Sequence, residues 1–309
     1  MEQVQTQSPE ILIIGTVGID TIATPVAKRE NILGGSASYA GVSASYFAPT
    51  ALISVIGGDF PEEFMNLYRR FQLDLRGLQM DQNGKTFRWS GIYEKNMNKR
   101  RTLETDLNVL ETFAPHLPET HCETPYVFLG NISPGLQLSV MHQLKQPRFV
   151  MLDTMDLWIN IARDELLQAI GQVDLLTLNE SEARLLTEKS ALMQAAQTLL
   201  DMGPRYVLIK KGENGSLLFS SEGKFLMPAY PLDTVADPTG AGDTFAGAFI
   251  GALARKKTTE PVALREAMLY GSVVAAFGVE AFSLDNLAEL DLQKIEDRAQ
   301  ELKQMMSLN

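Results

Sequence analysis

The sequence predicts an α/β fold, a mostly parallel sheet covered by helices on both faces with a small β-flap beside it. Short apolar, β-branched runs alternate with amphipathic stretches along the chain, the pattern of a sheet buried between helices. One hairpin with a polar turn interrupts the alternation. No repeat, low-complexity tract or Pro/Ser-rich linker divides the 309 residues, so residues 10–309 read as one domain and 1–9 as a disordered leader.

Residues 11–14 and 51–56 read as buried strands, each ended by glycine. Between them, residues 23–33 suggest a strand pair. Residues 86–93 and 100–103 flank the polar turn 94–99, which is a hairpin rather than a crossover. Placed between two α/β units, it belongs outside the main sheet, as a lid formed by about 21–33 and 85–105. Further strands follow at 126–129, 149–152, 173–178 and 206–209. Residues 191–202 form a helix with Leu192, Ala195, Ala196, Leu199 and Leu200 on one face, stopped by Gly203-Pro204. Residues 290–306 read as an amphipathic, surface-packed helix without evident chemistry. In such sheets ligands sit beyond the carboxyl ends of the strands, so the residues there are the candidates for chemistry.

The formal net charge of −11 gives no general attraction to nucleic acid or anionic lipid, so any phosphate must be held by a local arrangement. The single Cys122 excludes an intramolecular disulfide and a Cys-rich zinc site, and His116, His121 and His142 lack metal-ligand spacing. No uninterrupted apolar run approaches the ~20 residues of a membrane span, and the first residues carry no secretory pattern, so a soluble, cytoplasmic protein is expected. Gly84-Lys85-Thr86 resembles the tail of a P-loop, but its first glycine is replaced by Gln79; a dinucleotide fingerprint and a GxSxG elbow are also missing.

The informative segment is residues 237–249, DPTGAGDTFAGAF. Gly240 and Gly242 let the chain turn its N–H groups toward a ligand that approaches closely. The helix that follows adds the positive end of its dipole, which makes a phosphate-sized anion site. Ala246, Gly247, Ala248 and Gly251 permit that helix to pack closely. A carboxylate on the rim, Asp243, repels an anion, which makes sense if it takes a proton from an attacking hydroxyl.

That segment resembles the C-terminal signature of the ribokinase-like (PfkB-type) carbohydrate and nucleoside kinases, and the likeness extends from the first strand to about Phe277. Gly34-Gly35-Ser36-Ala37-Ser38 is similar to the family's di-glycine signature, and Asn179-Glu180-Ser181-Glu182 to its NxxE motif. Residues 210–215 resemble its strand-end nucleotide loop, and Gly15 to Asp20 the segment whose aspartate holds sugar hydroxyls. The resemblance implies a ribokinase-like three-layer domain with a β-sheet lid, and an ATP-dependent phosphotransferase acting on an alcohol group of a small sugar or polyol. A nucleoside acceptor is the alternative, and a silent metabolite sensor a third reading.

In that frame Asp243 is the general base and the amides of Gly240, Ala241, Gly242 and Asp243 are the anion hole. Asp20, Gly34, Gly35, Tyr39 and Asp153 bind the acceptor; Lys210, Gly212, Gly215 and Thr239 meet the nucleotide. Asn179 and Glu182 orient Mg²⁺ through its waters, though alone they would read as a helix cap and its partner. Arg88, Arg100 and Arg101 lie in the lid, where one facing inward would neutralise transition-state charge and the bland role is a solvated face. Tyr39 stands where relatives carry an acceptor-binding Asn; it either offers a ring to the acceptor or packs on its own helix. The segment 275–283 lacks the Gly-Ala step that encloses a monovalent cation in relatives, which leaves potassium dependence open. Trp158 has two readings, a stacking ring or a structural indole, and lid-to-lid pairing would give a homodimer.

Overall fold

A computed structural model describes residues 8–97 and 99–307. The expected disorder of the leader therefore lies outside the described residues except at Ser8 and Pro9, as does Asn98 of the polar turn. Among the described residues thirteen strands run in chain order: β1 Ile11–Ile14, β2 Gly18–Ala23, β3 Lys28–Gly34, β4 Thr50–Gly57, β5 Asp74–Asp81, β6 Phe87–Tyr93 and β7 Arg100–Asp106. Then follow β8 Tyr126–Leu129, β9 Phe149–Asp153, β10 Leu175–Asn179, β11 Tyr206–Lys210, β12 Ser216–Ser220 and β13 Gly223–Met227.

Nine of them form one sheet in the order β13-β12-β11-β10-β9-β8-β1-β4-β5, parallel from β5 to β11 and closed by the antiparallel pair β12–β13. Period-two alternation divides the core. Ile11 and Ile13 join Leu52, Phe128 and Met151 on one face, while Leu12 and Ile14 join Ile53, Val127 and Leu152 on the other. Each such side chain contributes about 1.5–3 kcal/mol by leaving water. Helices Ser36–Ser45, Ala241–Lys256, Pro261–Val279 and Leu292–Met306 cover the first face; Pro134–Met141, Arg163–Ile170, Glu180–Thr187 and Leu192–Asp201 cover the second.

Among the described residues, Pro261–Val279 has the length and composition to cross a membrane, an exception to the expectation that every apolar run is cut short. It is instead a core helix: Leu264, Met268, Val273 and Val274 are fully buried against the Ala241–Lys256 helix and its neighbours. The small residues of Ala241–Lys256 act as expected. A methyl group on Gly247 would strike the Ala40 backbone of helix Ser36–Ser45, so the two helices cross with their backbones nearly touching.

Four strands form the second sheet in the order β3-β2-β6-β7. Its hairpin β6–β7 falls where the sequence places it, with a register shift between Ser90 and Gly91 that leaves Leu103 unpaired. The other pair is displaced from residues 23–33: β2 begins at Gly18, and the turn lies at Thr24–Ala27, where the Thr24 amide donates to the Ala27 carbonyl at 2.9 Å. The strand expected over 173–178 begins at Leu175, because the Asp174 carboxylate accepts the Val150 amide at 2.9 Å. The polar edge strand β5 and the pair β12–β13 carry no pattern that the sequence reading isolates. His121 is structural: it is fully buried, with Nε2 3.0 Å from Asp74 Oδ2 of β5.

Candidate active site

Register assembles the first half of the site. Asp153 and Thr177 are partners in β9 and β10, and Asn179 and Lys210 in β10 and β11, so three candidate side chains reach the same carboxyl edge. Lys210 Nζ lies 2.7 Å from Asp153 Oδ2, and it sits 3.1 Å from where a Cβ on Gly242 would stand. Burial alone would lower the Lys210 pKa, but the carboxylates of Asp153, Glu182 and Asp243 outweigh it and hold the ammonium above the ordinary lysine value. The Thr154 amide donates to Asp153 Oδ1 at 3.0 Å.

Asn179 and Glu182 make a reciprocal cap at the start of helix Glu180–Thr187. The Glu182 amide donates to Asn179 Oδ1 at 2.9 Å, and the Asn179 amide to Glu182 Oε2 at 2.7 Å. Among the described residues no group of three or more His, Cys, Asp or Glu could enclose a metal. Among the described residues the hydrogen bonds of the Glu182 carboxyl engage Oε2, within the cap, and two capping side chains suit a hydrated ion held through water rather than a direct cage. Burial, reinforced by Asp153, raises the Glu182 pKa to about 7.

The glycine turn supplies the second half. Gly240 caps helix Ala241–Lys256 at φ +72, and a Cβ there would enter the Tyr39 ring, so only glycine fits on both counts. The Ala241 amide reaches the Pro238 carbonyl at 3.2 Å, whereas those of Gly242 and Asp243 find no backbone acceptor among the described residues. The Asp243 carboxyl stands beside them, partly exposed. Burial raises its pKa to about 7, with Asp153 pushing the same way and Lys210 and Arg100 opposing. A carboxylate with that value is half-ionised near neutrality, where a general base works best.

Asp20 lies in β2, 3% exposed, and its Oδ1 has no hydrogen-bond partner. A Cβ on Gly34 would collide with this carboxylate, which explains why β3 ends in glycine. Burial, followed by the charges of Asp237 and Asp243, raises Asp20 to about 8. Gly35, at φ +93, begins helix Ser36–Ser45.

Other expected residues take narrower places. Tyr39 is 2% exposed with its ring against Gly240, so it packs under the glycine turn; its hydroxyl has no partner. The Thr239 hydroxyl donates to the Tyr93 hydroxyl of the small sheet at 3.1 Å, which ties the two parts together. Gly212 and Gly215 shape the turn from β11 to β12. Trp158 is half-buried and donates through Nε1 to Asn131 Oδ1 at 2.9 Å, an anchored indole.

Sequence reasoning missed Asp237, 1% exposed, whose Oδ2 lacks a partner. Burial raises its pKa despite the Thr239 contacts. A carboxylate opening a glycine-rich turn was the available signal. Tyr93 was missed as well, because its contact with Thr239 is a long-range pairing that composition does not encode.

The family model described as pfkB family carbohydrate kinase matches residues 9–289. The cytidine kinase of Thermococcus kodakarensis is 31% identical over 258 residues, covering 81% of this chain and 91% of that protein. The ribokinase of Bacillus subtilis is 36% identical over 114 residues, 37% of each chain. The Methanocaldococcus jannaschii nucleoside kinase, described as an archaeal member of the ribokinase family, superposes with a TM-score of 0.76 at 20% identity, covering 94% of this chain and 98% of its own.

Proposed function

Because the chain belongs to the pfkB family of carbohydrate kinases, we propose that it moves the terminal phosphoryl group of ATP to an alcohol hydroxyl of a nucleoside, with Asp243 as general base. The observation that carries this acceptor is the register of the small sheet. Gly18 pairs with Phe87 and Asp20 with Trp89, and paired residues share a face. Two aromatic rings therefore stand on the same face as a buried carboxylate with an unpartnered oxygen. Such a carboxylate accepts from sugar hydroxyls, and flat apolar rings beside it suit a base. The likeness to a cytidine kinase over most of both chains supports the same reading.

The chemistry follows from the placements. Asp20 orients the acceptor, and Asp243 takes the hydroxyl proton as the oxygen attacks phosphorus and the bond to the ADP oxygen breaks. The Ala241 amide of the expected anion hole is taken by the Pro238 carbonyl, so the amides of Gly242 and Asp243 meet the charge that grows on the transferring group; losing one donor of this kind costs about 3–4 kcal/mol. Lys210, held by Asp153 against Gly242, adds a positive charge beside the nucleotide phosphates. Gly212 and Gly215 keep the β11–β12 turn low enough for those phosphates, and Thr239 holds the lid against the glycine turn. Asn179 and Glu182 would hold Mg²⁺ through its waters, and the ion when bound screens phosphate charge.

A free sugar or polyol is the second reading, favoured by the ribokinase match, which covers about a third of the chain. Purified protein with Mg²⁺-ATP is offered nucleosides and free sugars, with ADP release and product mass as readouts. Nucleoside phosphorylation that Asp243→Asn lowers by about 10²–10⁴ is expected. Turnover of free sugars alone overturns the acceptor, and full activity in Asp243→Asn overturns the base. The panel is run with and without potassium, because the unpartnered Asp237 oxygen is the kind of acceptor a dehydrated monovalent cation meets.

A further inference from the structure

We propose that Arg100 is a catalytic residue delivered by the lid, its guanidinium meeting the transferring phosphoryl group opposite the Gly242 and Asp243 amides. This rests on the kinase reading above and adds a residue to it. Three arginines stand on the β6–β7 hairpin, and register separates them. Arg100 pairs with Tyr93, Arg101 with Ile92, and Arg88 with Asp106. Tyr93, Gly91 and Trp89 alternate onto one face of β6, the face that carries Asp20 in β2. Arg100 shares that face, and its guanidinium lies 5.9 Å from the Trp89 ring centre. Arg101 and Arg88 fall on the opposite face, and Arg88 is already engaged by Asp59 at 3.0 Å and Asn31 at 3.1 Å.

The neighbour of Arg100 across the hairpin fixes which part of the site its strand end meets. The Tyr93 hydroxyl accepts from Thr239, the residue before Gly240, so this end of the lid is pinned to the rim of the anion hole. Arg100 makes no ion pair among the described residues, in contrast to the salt-bridged Arg88. Its charge opposes the upward shifts of Asp243 and Glu182, and of its hairpin neighbour Tyr93. A planar, permanently charged fork fits the equatorial oxygens of a phosphoryl group in transfer. A base that takes up the Trp89 ring displaces the weak contact with Arg100 and frees the guanidinium for this role.

The test compares Arg100→Ala, Arg100→Lys and Arg101→Ala with the parent protein, using the acceptor that the panel identifies. Arg100→Ala is expected to lower kcat about 10²-fold with little change in the acceptor KM, and Arg100→Lys to recover part of the loss. Arg101→Ala leaves both constants in place. Removing the cation also moves the acidic limb of the kcat/KM profile to higher pH, because Asp243 loses a charge that favours its ionised form, and a purely structural role would not do this. An unchanged kcat in Arg100→Ala, or a loss confined to KM with the acidic limb unmoved, overturns the proposal while the kinase reading stands. Failure of the parent protein to phosphorylate any acceptor sinks both, and is seen before any variant is made.

Discussion

Asp243 has two properties that conflict outside a catalytic setting: it stands beside amides that find no backbone acceptor among the described residues, and its pKa is raised to about 7 by burial and Asp153. As the proposed base, Asp243 must be ionised to accept a proton, so activity is expected to rise with pH through about 7 and then level. A kcat/KM profile from pH 5 to 9 checks this; a flat acidic limb contradicts Asp243 as the titrating base. Gly240 gives a steric test of the same turn. Alanine there requires φ near +72 and a methyl group inside the Tyr39 ring, so Gly240→Ala should abolish measurable turnover and cost at least 1–2 kcal/mol of stability. Both readouts, initial rate and thermal melt, are needed, because a variant that folds as well as the parent would show that the turn has room.

At the scale of elements, the small sheet meets the glycine turn through the Thr239–Tyr93 hydroxyl pair and, at the start of that turn, through Thr24 Oγ1 donating to the Ala236 carbonyl at 3.0 Å. Tyr93→Phe keeps the buried ring and deletes the bond, whose net worth is about 0.5–1.5 kcal/mol. If lid closure contributes to acceptor binding, KM for the acceptor rises about 2- to 10-fold, the same free energy expressed as binding. An unchanged KM means that the lid closes on other contacts. This scale also separates what the sequence discloses from what it hides. Residues 126–129 and 206–209 were legible because buried parallel strands are apolar throughout, and the observed β8 and β11 match them to within one residue. The start of β2 at Gly18 was not legible, since Gly18 and Asp20 look like loop residues until β6 pairs beside them. β5 was hidden because an edge strand is half-solvated, and DLRGLQMD alternates too weakly to mark a core face. Within the candidate site, short-range signals pointed to Asn179, Glu182 and Gly240 to Asp243. The Asp153–Lys210 pair, 57 residues apart in the chain, and the inward face of Arg100 exist only through register.

For the whole molecule, the site gathers carboxyl groups at a cost in stability that depends on pH. Asp20 is raised to about 8, Glu182 and Asp243 to about 7, and Asp237 is raised as well, each with burial as the first cause. Unfolding returns each to an ordinary carboxyl value near 4. A carboxyl whose folded pKa lies above its unfolded one binds more protons in the native state. Its stabilisation is complete below about pH 4 and is lost as the pH rises through the folded value. These groups together should make the ligand-free protein lose stability between about pH 5 and 8.5, on top of any repulsion from the net charge of −11. The two causes can be told apart. Asp20→Asn removes the group raised furthest, so its melting temperature should fall less steeply across this window, with a gain over the parent that grows up to about pH 8. Replacing an exposed acid remote from the site, such as Glu222→Gln, makes the same charge change without that pH-dependent gain. Parallel melting curves for Asp20→Asn and the parent from pH 5 to 8.5 would mean that Asp20 is charged in the native state throughout.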